Sequence, residues 1–369
     1  MIPTCRQNQP EGARHPARDG RSPLDAPAVS SPGATSDARR EARVIGFAPD
    51  MGGRVSSLHA PKPRYLAAAL ALKGFGLSRA TRRAYRAIGD HLSRESHSRV
   101  SPGKLAAGAQ LWELASLCES ADAESARYLE VGTGWTLFYG LLFRLHFDGR
   151  LSLFDVQDCR QVDALRERFA RVGNLLPDGL PEEFLGNLEQ YRQRAALVAS
   201  AVSLEDLNDR LNLEYVVEPN GSLRMFADDT FDVVFSWNVL EHVPRCQFLS
   251  MTRDHFRVLR PNGIAIHHID FTDHLTTQYA PSASRKEYLR YGECAWRVLF
   301  DNRMQHMNRL QPSHVASAFL RAGFEAVHDR REIDRTVVPW SDLADQWNHL
   351  ATDDVACTAA TLVFRKPRW

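Results

Sequence analysis

Short apolar runs separated by amphipathic stretches dominate the chain from residue 127 onward. The apolar runs are typical of strands buried on both faces, and they lie at Tyr128–Val131, Leu151–Phe154, Tyr215–Val217, Val233–Phe235 and Ile264–Ile269. Helical spacing of apolar residues fills the intervals at Trp135–His146, Val162–Val172, Val239–Leu259 and Pro312–Ala322. Strands that alternate with helices predict an α/β fold with a parallel sheet. Ligands of such sheets bind outside the carboxyl ends of the strands.

The pattern divides the chain into three parts. Residues 1–60 hold seven of the 19 prolines and almost no apolar clusters, which predicts a disordered tail because such a segment cannot bury enough surface to offset its ordering entropy. Residues 61–125 show apolar positions at helical spacing and predict a helical N-terminal extension. Residues 126–369 form the main domain, with insertions at 173–212 and 271–311 that we expect to act as lids or added helices and to select the substrate.

Charge and cysteine content narrow the class of protein. With 46 basic and 45 acidic side chains the formal net charge is +1, so the whole molecule exerts little attraction on a polyanion. The six cysteines show no Cys-x-x-Cys pair, and we expect reduced thiols. No signal peptide is evident, and the apolar run Tyr65–Leu72 is too short to span a bilayer. These features predict a cytoplasmic protein without an integral membrane segment.

A glycine turn follows the first predicted strand. The strand leads through Glu130 to Gly132 and Gly134, which form a Gly-x-Gly turn before the next helix. Glycine adopts backbone conformations that a side chain resists and lets a ligand approach the main chain closely, although a purely structural turn needs the same residues. The next strand ends at Asp155, where a carboxylate either grips a ribose diol or caps the following turn. We favour the ribose role.

Two further blocks complete a characteristic order of motifs. Phe231-Asp232-Val233-Val234 is followed by Val239-Leu240-Glu241-His242-Val243, and Leu259-Arg260-Pro261-Asn262-Gly263 comes after the next helix. With the glycine turn, these blocks make the chain from about residue 127 onward resemble the class I S-adenosylmethionine-dependent methyltransferases. The resemblance implies a Rossmann-like, doubly wound, seven-stranded sheet, mostly parallel, whose last strand is antiparallel and lies at Ala359–Phe364.

The resemblance also implies S-adenosyl-L-methionine as the methyl donor and assigns residues to it. It places Asp155 at the ribose hydroxyls, Ser236 in the floor beneath the sulfonium, and three residues around the methionine portion: Glu130, Gly132 and Gly134. The sequence departs from the family pattern at Thr136, which replaces a third glycine, and at the bulky Trp135. The acid that usually follows the third strand, near the adenine, has no clear counterpart in residues 218–222.

Candidate groups for proton transfer cluster after the fifth predicted strand, in residues 267–274. Because side chains alternate along a strand, His268 and Asp270 share one face, and we predict them as the catalytic pair. A histidine titrates in the range that suits a general base. A metal site or polar packing without chemistry are the alternatives, and the prediction includes no metal. His242 is a further candidate base, with packing as its alternative role.

The sequence excludes one class of methyl acceptor more clearly than it identifies another. The chain lacks the Asp/Asn-Pro-Pro-Tyr segment and the Pro-Cys pair of nucleic-acid methyltransferases, so we predict a small-molecule, sugar or lipid-linked acceptor and no nucleic acid. Two alternatives stay open. One is a non-catalytic donor-binding module with a regulatory role. The other is an NAD-dependent oxidoreductase, which the unmet Gly-x-Gly-x-x-Gly spacing disfavours. The sequence does not indicate an oligomeric state.

Overall fold

Seven strands form one sheet in the computed structural model, which describes residues 61–85 and 99–368. The strands are β1 (Arg127–Val131), β2 (Arg150–Asp155), β3 (Leu213–Val217), β4 (Phe231–Trp237), β5 (Leu259–Asp270), β6 (Glu325–Ile333) and β7 (Cys357–Arg365). Their order across the sheet is β3-β2-β1-β4-β5-β7-β6. Strands β1 to β5 pair in parallel, and β7 is antiparallel to both of its neighbours. The predicted Rossmann-like sheet with an antiparallel last strand is confirmed.

Helices pack on both faces of this sheet. They are α1 (Pro63–Gly76), α2 (Pro102–Ala115), α3 (Phe138–His146), α4 (Val162–Gly179), α5 (Leu188–Ala199), α6 (Leu204–Leu211), α7 (Arg245–Val258), α8 (His274–Tyr279), α9 (Pro312–Arg321) and α10 (Thr352–Val355). In β1, Tyr128 faces the layer formed by α2 to α6, whereas Leu129 faces α7 and α9. Because helices cover both faces of the sheet, the central strands consist of unbroken apolar runs.

Two predicted helices begin later than their apolar pattern indicated. The helix expected from Trp135 begins at Phe138, since the chain needs the intervening residues to complete the glycine turn. The helix expected from Val239 begins at Arg245. A residue that precedes a proline is disfavoured in the helical conformation, so the segment before Pro244 forms a single 3₁₀ turn and a loop.

Strand β6 is the one strand of the sheet that neither the apolar pattern nor the family resemblance located. It lies at the edge of the sheet and pairs only with β7. Most of its residues are exposed, and it carries the charged run Asp329-Arg330-Arg331-Glu332. Charged side chains on an edge strand discourage pairing with other chains, and they also remove the apolar signal from the sequence.

The two insertions occupy different sides of the molecule. Residues 173–212 extend α4 and add α5 and α6, where Tyr191 packs against Trp112 with 5.0 Å between ring centroids. Residues 271–311 pack against α1, whose Tyr65 hydroxyl donates a hydrogen bond of 2.6 Å to Asp273. The predicted helical extension therefore contributes α2 to the sheet layer and α1 to the second insertion. The predicted tail, residues 1–60, lies outside the described residues.

Two expectations about the environment of the chain can be compared with the structure. Within residues 61–85 and 99–368, none of the helices has the length and hydropathy needed to cross a membrane. Cys118, Cys294 and Cys357 are free thiols.

Candidate functional site

A cavity of about 1020 Å³ opens at the carboxyl ends of β1 to β4. The strand order reverses between β1 and β4, and such a switch point is where α/β sheets bind ligands. We call one part the glycine-turn half, after its lining residues Gly132, Gly134, Trp135, Asp155, Glu218 and Asn220. We call the other the histidine half, lined by Val239, His242, Gln247, Met251, His274 and His306.

The two insertions contribute unequally to this cavity. The second insertion supplies His274, Gln278 and residues 304–306 to the lining. No described residue of 173–212 lines it. The first insertion adds helices to the sheet layer, and of the two only the second reaches the cavity, so substrate selection stays a prediction for both.

The glycine turn has the backbone that its sequence predicts. Gly132 and Gly134 have φ values of +79° and +65°, in the left-handed region that side chains disfavour. A Cβ on Gly132 would lie 2.5 Å from Val239, whereas a Cβ on Gly134 would meet no atom within 4 Å. Gly132 is thus required by packing, and Gly134 keeps the main chain open to the cavity.

Asp155 ties the end of β2 to this turn. One carboxylate oxygen accepts a hydrogen bond of 2.9 Å from the N–H of Gly134, and the other accepts one of 3.1 Å from the N–H of Gln157. The side chain is largely buried, yet it lines the cavity. A carboxylate oxygen has a second lone pair, so Asp155 can cap the turn and still accept hydrogen bonds from a ligand.

Glu130 lies behind the turn rather than in the cavity lining. Burial raises the pKa of its carboxyl group to about 8, while the N–H of Gly140 acts in the opposite direction. Its Oε2 has no hydrogen-bond partner. The structure therefore places Glu130 beneath Gly132 and Gly134 but not in direct contact with the cavity.

Ser236 does not line the cavity, contrary to its predicted position beneath the donor sulfonium. Strand β4 continues to Trp237, so Ser236 is still within the strand, and its hydroxyl lies 2.8 Å from Nδ1 of the buried His267. The residues that reach the cavity after β4 are Asn238 and Val239. Contact of Ser236 with the donor stays a prediction.

The predicted pair His268 and Asp270 is also held away from the cavity lining. His268 stacks on Trp237 at 4.2 Å, and its Nδ1 lies 2.9 Å from the Thr361 hydroxyl. Burial lowers the pKa of His268 to about 4. Asp270 accepts a hydrogen bond from the N–H of Thr272 and faces the imidazole of His274 at 3.4 Å. The structure does not bring this pair together as a base that faces a bound ligand.

Two histidines that sequence reasoning did not pair lie in the histidine half. His242 and His274 line the cavity with 5.0 Å between their ring centroids. The neighbouring Glu241 is buried, and one ligand atom from each of the three residues lies within 4.8 Å of the others. The sequence signal was available: Glu241 and His242 follow β4, His274 follows β5, and these parallel strands are neighbours.

Comparison of the chain with a protein-family profile identifies its family. The family described as "Methyltransferase domain" matches residues 106–329, more than half of the chain. The chain belongs to the class I S-adenosylmethionine-dependent methyltransferase family. This membership accounts for the order of the glycine turn, Asp155 and the two later motifs in one domain.

Solved structures of this methyltransferase fold resemble the chain at low sequence identity. One is a 1,6-didemethyltoxoflavin-N1-methyltransferase from Burkholderia thailandensis with bound S-adenosylhomocysteine (14% identity, 85% of this chain and 98% of that chain, TM-score 0.39). Another is an S-adenosylmethionine-dependent methyltransferase from Mesorhizobium loti (14% identity, 69% of this chain and 97% of that chain, TM-score 0.35). No curated protein matches the chain. These likenesses concern the fold alone.

Within the methyltransferase fold, the departure at Thr136 has a structural explanation. Its hydroxyl accepts a hydrogen bond from the buried guanidinium of Arg168, which fixes the turn to α4. Close packing of helix on strand is instead supplied by Gly140, where a Cβ would lie 2.3 Å from Glu130 and 2.6 Å from Leu153. The glycine that permits this close packing is therefore Gly140, four residues after Thr136.

The acid missing after the third strand also has a candidate. Glu218 follows β3 directly and lines the glycine-turn half beside Asn220, whose N–H donates a hydrogen bond of 3.1 Å to its carboxylate. The N–H of Glu218 is bonded to the carbonyl of Asp155, which holds the two acids side by side. The predicted third strand ends at Val217, as β3 does, so Glu218 is the first residue after it.

Proposed function

We propose that the protein transfers the methyl group of S-adenosyl-L-methionine to a small-molecule, sugar or lipid-linked acceptor. The observation that supports this most strongly is one continuous cavity with two chemically different halves at the switch point of a methyltransferase sheet. The glycine-turn half suits the donor, and the histidine half suits an acceptor. A cavity of about 1020 Å³ lies at the upper end of the range for small-ligand sites and has room for two ligands.

In this proposal the donor lies along the glycine turn. Its methionine portion approaches the main chain at Gly134, where no side chain intervenes, and its ribose hydroxyls donate hydrogen bonds to Asp155. Glu218 is the residue that we assign to the adenosine end, since it adjoins Asp155 and lines the same half. Glu130 supports the turn from behind through its buried position.

The acceptor is proposed to bind between His242, Met251 and His274. This half combines apolar side chains with imidazoles, as expected for a site that holds a small organic molecule in one orientation. Methyl transfer is an in-line displacement, so holding the two reactants in line supplies most of the acceleration. We propose that His242 and His274, rather than His268 and Asp270, are the polar groups that face the acceptor. Glu241 is buried beside them and does not line the cavity.

Transfer of a labelled methyl group tests this proposal. The full chain is incubated with methyl-labelled S-adenosylmethionine and panels of hydroxylated and amine-bearing small molecules, sugars and lipid-linked sugars, with RNA and DNA as comparison acceptors. We expect label in a small-molecule, sugar or lipid-linked panel and none in nucleic acid. Label found only in nucleic acid would contradict the proposed acceptor class.

The same experiment distinguishes the two alternative functions. A donor-binding module without catalysis binds S-adenosylmethionine but labels no acceptor in any panel. An oxidoreductase binds NAD instead of the methyl donor. The Asp155→Asn variant serves as the control for the donor site, since label that depends on this cavity should fall with donor affinity.

A further inference from the structure

The cluster Glu241, His242 and His274 has the composition of a metal site. Glu241 and His242 lie in the 3₁₀ turn after β4, and His274 begins α8 just after β5. Because β4 and β5 are adjacent and parallel, both segments emerge at the same edge of the sheet. One ligand atom from each residue lies within 4.8 Å of the other two, a spacing that a single ion can bridge.

In each imidazole, one ring nitrogen faces an oxygen acceptor. Nδ1 of His242 lies 2.7 Å from the carbonyl oxygen of His306, so it donates its proton there and leaves Nε2 unprotonated. Nε2 of His274 lies 3.4 Å from the carboxylate of Asp270, which leaves Nδ1 available. Metal-binding histidines characteristically donate their other ring proton to a carbonyl or a carboxylate.

Glu241 supplies the second, independent observation. Its side chain is buried with 4% exposure, and neither carboxylate oxygen has a hydrogen-bond partner. The imidazole of His274 interacts electrostatically with this carboxylate. A buried carboxylate without hydrogen-bond partners is costly. A cation between Glu241 and the two imidazoles would remove that cost.

We propose that Glu241, His242 and His274 bind one divalent transition-metal ion that faces the histidine half of the cavity. Two imidazole nitrogens and one carboxylate suit Zn²⁺, Mn²⁺, Fe²⁺ or Co²⁺ better than Ca²⁺ or Mg²⁺, which prefer oxygen ligands. Three protein ligands leave at least one coordination position open. This inference departs from the sequence-based prediction of no metal.

The role of the ion toward the acceptor rests on the proposed function. An acceptor hydroxyl that occupies the open position loses its proton to solvent more readily, because the ion stabilises the resulting oxyanion. The acceptor oxygen then bonds to the methyl carbon while the carbon–sulfur bond of the donor breaks. Methylated acceptor and neutral S-adenosylhomocysteine are the products, so charge and atoms balance.

Titration of the full chain with Co²⁺ tests the site without relying on activity. After removal of metal with a chelator, we expect one tightly bound Co²⁺ per chain, with the visible absorption of a low-coordinate nitrogen and oxygen site. Glu241→Gln and His274→Ala should abolish that absorption. Asp270→Asn should weaken binding by about 10- to 100-fold, as observed when an orienting partner of a ligand is removed.

Two controls keep the test decisive. Glu241→Gln removes a buried carboxylate without hydrogen-bond partners, so in chelator its melting temperature should equal or exceed that of the wild type, which separates lost metal binding from lost folding. His349→Ala changes an exposed histidine outside the cluster and should leave the Co²⁺ spectrum unchanged. Absence of the spectrum in the wild type, or wild-type affinity in Glu241→Gln, would overturn the metal site.

Calorimetry with S-adenosylhomocysteine on the same samples separates this inference from the proposed function. Donor binding without Co²⁺ binding would remove the metal site and leave the methyl-transfer proposal intact. Co²⁺ binding without donor binding would support the metal site and contradict the methyl-transfer proposal.

Discussion

Gly134 offers the sharpest test of where the methyl donor lies. Its φ is +65°, and a Cβ at this position meets no atom within 4 Å. Alanine there therefore costs mainly the left-handed backbone conformation, about 1–2 kcal/mol. The added methyl group enters the space that we assign to the methionine portion of the donor. Overfilling a packed contact costs about 1–3 kcal/mol, so the Gly134→Ala variant should bind the donor about 5- to 150-fold more weakly.

Calorimetric titration with S-adenosylhomocysteine measures that affinity, and thermal unfolding without ligand measures the cost to stability. Gly323→Ala is the matched control: Gly323 has a φ of +105° and lies outside the cavity lining, where a Cβ would sit 3.0 Å from Phe256. It should lose stability yet keep wild-type donor affinity. If folded Gly134→Ala binds the donor as tightly as the wild type, the donor does not approach this turn.

Three further substitutions test other parts of the account. Asp155→Asn should weaken donor binding about tenfold or more in calorimetry, because a hydrogen bond to a charged group contributes about 1.5–3 kcal/mol; unchanged affinity would argue against the ribose role. Gly140→Ala should lower the free energy of unfolding in urea by about 1–3 kcal/mol or more, because its Cβ falls 2.3 Å from Glu130 and 2.6 Å from Leu153; wild-type stability would contradict the close packing. Burial lowers the pKa of Lys286 from 10.5 to about 7, so between these values the unfolded chain binds one more proton than the native chain and stability rises with pH. Lys286→Met should reduce that slope by up to about 1.4 kcal/mol per pH unit in urea unfolding across the window, and an unchanged slope would show that Lys286 is not desolvated.

The glycine-turn half of the site could be predicted from sequence because it depends on the backbone. Gly132 and Gly134 occupy left-handed positions that restrict the residue type, and Asp155 ends a strand that is apolar throughout. Such requirements restrict the residue type at single positions, so they can be recognised in the sequence. Strand β6 has no comparable sequence pattern, because an exposed edge strand carries charged residues instead of an apolar run.

Ser236 lies inside β4, not after it, because strand length cannot be judged from apolar runs. His268 was already inside the predicted fifth strand. The predicted strands stop at Phe235 and Ile269, but β4 continues to Trp237 and β5 to Asp270. His268 pairs with Trp237 on one side and Thr361 on the other, so it lies within the sheet rather than in the loop beyond it. A cavity beyond the strand ends is lined by the residues that follow them.

The histidine half depends on contacts between distant parts of the chain. His242 and His274 are 32 residues apart in sequence (274 − 242), and they meet because β4 and β5 are neighbours. Each residue alone is compatible with packing or capping. The contacts of His242 with the carbonyl oxygen of His306 and of His274 with the carboxylate of Asp270 become evident only when the second insertion is folded against the sheet.

The most direct test of the central claim is calorimetric titration of the full chain with S-adenosylmethionine, S-adenosylhomocysteine and NAD. We predict one binding site per chain for the donor and its product and no binding of NAD. Binding of the donor and its product should be lost or weakened in Gly134→Ala. Folded protein that binds NAD and neither the donor nor its product would contradict the central claim.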